Sequence, residues 1–128
     1  MARVEVCVPG RFPGLNEYVR ACKCPQSRAR MKRECDERVA WACVGARCPA
    51  FAPPVTVTVD CYEQDARRDA DNVQGMARKF VLDGLQRAGV IGNDSRRWVP
   101  QPPGGLVAVD RERPRVVVTI EGEVAEDG

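Results

Sequence analysis

Three observations predict an α+β domain, a small mixed β-sheet packed against two main helices. Several short stretches alternate polar and apolar residues, one long stretch repeats its apolar residues at three and four, and 128 residues make room for one core. With 44% hydrophobic and 30% charged residues the chain has an ordinary globular balance. Its longest apolar runs, such as 116–118, are far too short to span a bilayer. Glu5 interrupts the N-terminal stretch where a signal peptide needs an unbroken apolar run, so a cytoplasmic protein without a membrane partner is expected.

Residues 3–8 alternate and predict a strand, ended by Pro9-Gly10 and Pro13-Gly14. Helix formers fill 16–45 and are interrupted at Pro25, giving a short helix over 16–23 and a longer one over 27–45. Val55, Val57 and Val59 alternate with Thr56, Thr58 and Asp60, a second strand over 55–61. The clearest helix spans 72–88: Val73, Met76, Ala77, Phe80, Val81, Gly84, Leu85 and Ala88 share one face, with Asn72 as its cap and Gly89 as its terminator. A turn at 92–94 follows, then an extended piece at 96–99, a loop over 100–105, and strands at 106–110 and 115–120. The acidic tail 121–128 reads as frayed, and a single domain covers 1–128.

The chain has no histidine, which excludes His-dependent triads, His-ligated zinc enzymes and nucleases with an imidazole base. Its net charge of +2 divides unevenly, with 12 basic and 8 acidic residues before Asp69 and 8 and 10 from there on. Between Arg20 and Arg38 the local balance is +4, suited either to phosphates or to a solvated helix face.

Hydrolytic chemistry would then rest on carboxylates. Asp69 and Asp71 are two residues apart after the second strand and, in extended backbone, project to one side, as two oxygen ligands for a hard cation must. An antiparallel return beside that strand would bring Asp94 to them. Lys79 and Asp83 are one helical turn apart on the 71–75–79–83 stripe, away from the apolar face. The same residues also suit a turn, a helix cap and an exposed ion pair.

The order of these segments adds to the reading. Arg67-Arg68-Asp69-Ala70-Asp71-Asn72, then Arg78-Lys79-Phe80-Val81-Leu82-Asp83-Gly84-Leu85, then Ala88-Gly89-Val90-Ile91-Gly92-Asn93-Asp94 closely resemble the RusA family of Holliday junction resolvases. Pro13-Gly14-Leu15-Asn16-Glu17-Tyr18 is similar to the family's N-terminal loop. The family's pattern has its lysine three residues after the asparagine, where this chain has Gly75; Lys79 comes four residues later, one extra helical turn.

The resemblance implies a homodimeric, phage- or prophage-type endodeoxyribonuclease that resolves four-way DNA junctions by paired nicks in recombination and repair. It implies Asp69, Asp71 and Asp94 as ligands of Mg²⁺, with Mn²⁺ as a substitute, and Lys79 as the catalytic cation. Asn72 and Asp83 would support them, and Asn16, Arg67, Arg68, Arg96 and Arg97 would contact DNA, fixing position rather than reading bases. The alternative is a junction-binding protein of the same fold with little or no cleavage.

Seven cysteines, five of them within 22–48, raise a third reading, a zinc-stabilised interaction module. The spacing lacks paired CxxC knuckles, so reduced thiols rather than a zinc site are expected.

Overall fold

The computed structural model describes residues 1–101 and 104–126. The predicted loop at Pro102-Pro103 and the end of the predicted tail, Asp127-Gly128, lie outside the described residues. The elements are β1 (Ala2–Pro9), α1 (Leu15–Ala21), α2 (Pro25–Gly45), β2 (Phe51–Glu63), α3 (Ala70–Arg87), β3 (Val107–Val109) and β4 (Arg115–Val124). The strands form one sheet in the order β1-β4-β2-β3, antiparallel except for the parallel β2–β3 pair. The predicted class is what the structure shows, a small mixed sheet with α2 and α3 as its two main helices.

Alternation builds the core. Val4, Val6 and Val8 of β1, Val55, Val57, Val59 and Cys61 of β2, and Val116, Val118 and Ile120 of β4 turn to the helical face, and all but the half-buried Val4 are buried there. Val73, Ala77, Phe80, Val81 and Leu85 of α3 meet them, with Val39 and Cys43 of α2 beside α3. Close approach of the two helices depends on Gly84, because a Cβ there would lie 2.7 Å from Val39 Cγ1. The helix ends at Gly89, whose φ of +77° suits glycine.

Beside shifts of one or two residues at the ends of α1, α2 and β3, four differences from the sequence expectation matter. β2 begins at Phe51 and runs to Glu63; Pro53 and Pro54, which carry no donor, shift its register against β4 without ending it. Residues 96–99 form a turn rather than an extension, with the Trp98 and Val99 amides both donating to the Ser95 carbonyl, at 3.0 and 2.8 Å. Residues 121–124 are not frayed, since Glu121 and Gly122 pair with Arg3 and Ala2, and Val124 with Phe51. The third helix starts at Ala70, two residues earlier than predicted, because Asp69 rather than Asn72 caps it and accepts the Asn72 amide at 3.1 Å.

The side of β2 away from β4 is closed mostly by side chains and loops. Arg78 Nη1 donates to Val57 O at 3.0 Å and Gln74 Nε2 to Val59 O at 2.9 Å. Trp98 O accepts from Val55 N at 2.7 Å, and Gly104 O from Val59 N at 3.3 Å. These bonds order the path from α3 to β3, and burial holds the Arg78 guanidinium below its ordinary range.

The α2–α3 contact yields a prediction. Gly84→Ala should lower unfolding stability by about 1–3 kcal/mol, as overpacking does, and the shift of the urea midpoint checks it.

Candidate functional site

The strand β2 keeps its inward parity to its last residue, and that residue is Glu63. Its side chain is only 5% exposed and accepts from Arg68 Nη1 at 3.4 Å, with Arg11 Nη1 at 3.8 Å. Arg68 also donates to Phe12 O at 2.8 Å and to Glu17 Oε1 at 3.0 Å. Glu17 in turn accepts the Gly14 amide at 3.3 Å at the start of α1. One buried carboxylate thereby ties the end of β2, the 10–14 loop and α1 to the approach to α3. Glu63, Arg11 and Glu17 are not among the site residues the sequence predicts; the signal for Glu63 is its place two residues beyond Cys61 on the inward face.

Beside this tie lies a cleft of about 360 Å³, lined by Gly14, Leu15, Asn16, Glu17, Arg67, Arg68, Asp69, Asn72 and Val73. Asn16, Arg67, Arg68, Asp69 and Asn72, five of the predicted site residues, converge here from two stretches about fifty residues apart. Arg67 is 91% exposed, its Nε lies 3.8 Å from Asp65 Oδ2, and its backbone amide donates to Asp65 Oδ1 at 3.0 Å. That amide, ahead of the Arg67 side chain, holds the Asp65 carboxyl below its ordinary range. Arg68 differs from its predicted role, because its guanidinium is occupied by Glu17, Glu63 and Phe12 O.

Asp71, Lys79, Asp83, Asp94, Arg96 and Arg97 do not line this cleft. Asp69 keeps extended backbone, but as the N-cap of α3, and Asp71 lies in the first turn of that helix, because a bend over 64–68 separates both from β2. Asp71, Gly75 and Lys79 are exposed along one stripe of α3, and Asp83 is partly buried. Eight residues of helix carry Lys79 about 12 Å along the axis from Asp71.

There Lys79 joins a second group, 3.8 Å from Asp83 Oδ2, with its Nζ 5.7 Å from the centre of the Tyr18 ring. Lys32 bridges Asp83 at 3.7 Å and the buried Asp36 at 3.0 Å. The hydrogen bond to Asp36 raises the Lys32 ammonium, against a smaller opposing effect of burial. Arg28, Lys32 and Lys79 line a separate cleft of about 330 Å³.

Asp94 lies outside both groups. After α3 the chain returns parallel to β2, not antiparallel to it: Val90 O accepts from Phe51 N, Trp98 O from Val55 N, and β3 pairs parallel with Cys61–Glu63. The turn holding Asp94, Arg96 and Arg97, all exposed, therefore flanks the start of β2, at the opposite end of α3 from Asp69. Among the described residues no three His, Cys, Asp or Glu side chains converge closely enough to hold a metal ion. The predicted Mg²⁺ ligands do not form a fitting donor set within one chain.

All seven cysteines are free thiols. Burial pushes Cys35 up to about 11 and Cys61 up to about 12, and the hydrogen bond with Cys48 raises Cys43. Cys24, exposed at the N-cap of α2, is lowered by the Ser27 amide first and its hydroxyl next. No family model matches the chain, and no curated protein is significantly similar to it.

Two outcomes are expected. Arg68→Ala should cost about 2 kcal/mol in urea unfolding, less than a fully buried pair because Arg11 still faces Glu63. Alkylation depends on the thiolate, so its rate at Cys24 should rise at lower pH than at Cys35 or Cys61, as peptide mapping by mass spectrometry will show.

Proposed function

We propose that the protein is a cytoplasmic, structure-selective endodeoxyribonuclease acting on four-way DNA junctions, and that the cleft beside Asp69 receives the DNA backbone. The observation that carries this reading is the convergence there of Asn16, Arg67, Asp69 and Asn72. They come from two of the four segments that resemble the family, brought together across the fold. Arg67 would bind a phosphate, and Asn16 would donate a neutral hydrogen bond beside it. The Glu63–Arg68 pair would keep the cleft's two walls in register. Arg28, Lys32 and Lys79 would hold a neighbouring stretch of backbone, and Arg96 and Arg97 a third, so that several separated phosphates are needed for tight binding.

A junction-binding protein with little cleavage is the second reading. It is favoured by the separation of Asp94 from Asp69 and by the position of Lys79 two turns beyond Asp71.

A labelled four-way junction, set beside a linear duplex of the same sequence and incubated with Mg²⁺ or EDTA, separates the two. The first reading expects paired nicks on the junction alone, absent in EDTA and reduced at least about a hundredfold by Asp71→Asn. Tight junction binding without nicks, under Mg²⁺ and Mn²⁺ alike, would replace it with the second. Arg67→Ala should weaken binding evenly across sequences and flatten its salt dependence, measured by fluorescence anisotropy.

A further inference from the structure

The end of α2 carries an inference that does not depend on the nucleic-acid reading. Two backbone bonds close the helix there: Cys48 N donates to Cys43 O at 3.0 Å and Arg47 N to Val44 O at 3.1 Å, while Arg47 takes a φ of +53°. This is the Schellman arrangement, in which the first and last residues of the closed turn also bring their side chains together. An apolar pair frequently fills those two places. Here both are cysteines, free thiols joined by a hydrogen bond.

The two sulfurs differ in access. Cys43 is 3% exposed in the core, whereas Cys48 is half-buried and packs on that core from the connection to β2, its Sγ 3.7 Å from Pro49 O. The hydrogen bond from Cys43 lowers Cys48 as it raises Cys43, so the sulfur that solvent can reach is also the readier thiolate. Arg47 holds the left-handed backbone that glycine adopts more cheaply, and the turn stays closed with Cys48 against Cys43.

We propose that Cys43 and Cys48 form a reversible disulfide when a hydroperoxide reaches Cys48, which makes the turn between α2 and β2 a site of redox modification. The Cys48 thiolate attacks one peroxide oxygen and breaks the O–O bond, leaving a sulfenic acid on Cys48 and an oxyanion that takes a proton from water. The Cys43 sulfur then attacks the Cys48 sulfur, the S–O bond breaks, and the departing hydroxide leaves as water with the Cys43 proton. Together the two thiols lose two electrons and the peroxide gains them. A neighbour already in contact takes the sulfenic acid to a disulfide before further peroxide makes it irreversible, and thiols of a reducing compartment restore the pair.

Peptide mapping tests this. Reduced protein is treated with hydrogen peroxide, its remaining thiols are blocked with N-ethylmaleimide, and tryptic peptides are read by mass spectrometry. Cleavage after Arg47 parts Cys43 from Cys48, so the expected product joins peptides 39–47 and 48–67 with the loss of two hydrogens, and dithiothreitol undoes it. Fragment ions should place the link on Cys48 rather than on Cys61 of the same peptide. In Cys43→Ala, Cys48 should accumulate as a sulfenic acid that dimedone captures at several times the wild-type yield. In Cys48→Ser the link should vanish and Cys43 should stay reduced, with circular dichroism as the check on folding for both. Oxidation of Cys24 while Cys43 and Cys48 remain thiols would overturn the proposal. Equal dimedone capture in wild type and Cys43→Ala would do the same, as would a 43–48 link no more abundant in the native protein than in urea, where pairing spreads over all seven cysteines. Junction cleavage plays no part in the readout, so failure here and failure of the nuclease reading are separable.

Discussion

A carboxylate buried at the end of a strand must be neutralised where it lies, and in this protein Glu63 sets that requirement. Arg68 meets it from the approach to α3 and Arg11 from the loop after β1. Arg68 has donors to spare, and they hold Phe12 O and Glu17. Phe12 is thereby seated beneath the Arg38 guanidinium and against Phe80, with Tyr18 edge-on to the same ring. The 10–14 loop, α1 and the start of α3 thus take their places around one buried charge, and the cleft with Asp69 on its wall is what remains between them.

Legibility followed side-chain periodicity and failed where other physics set the position. The face of α3 and the valines of β2 were plain because each buried residue is large and apolar. The end of β4 was not, because its inward position after Ile120 is Gly122, which marks no face. A Cβ there would stand 3.1 Å from Val55 Cγ1. The prolines hid the start of β2 in the same way. Asp69 follows a strand and suits a continued extension to Asp71, yet aspartate is among the best helix caps, and that preference predicts its observed place. The grouping of Asn16 with Arg67, Asp69 and Asn72 came only through the family resemblance, since contacts across fifty residues leave no periodic trace. The distance of Asp94 from the other aspartates reflects chain direction, which the parallel β2–β3 pair sets and local sequence does not.

Lys79 shows how a conspicuous charge can be drawn into local balance. Asp83, one turn on, is shared between Lys79 and Lys32, and Lys32 also serves the buried Asp36. The Asp36 carboxylate has its second oxygen, Oδ1, buried without a hydrogen-bond partner among the described residues, so Lys32 is its principal compensation. This arrangement cross-links α2 and α3 at the opposite side of α3 from the Arg78 contacts with β2.

The position of β4 bears on how the chain can assemble as it is made. It lies between β1 and β2 and pairs with both, yet it follows all the other elements in sequence. During synthesis the first two long strands have no strand between them to join their edges, while α2 and α3 can already associate through Val39 and Gly84. A ribosome-bound chain would be a helical pair with loose, partner-seeking strands until the residues up to Val124 emerge, and only then could the sheet close in a single long-range step.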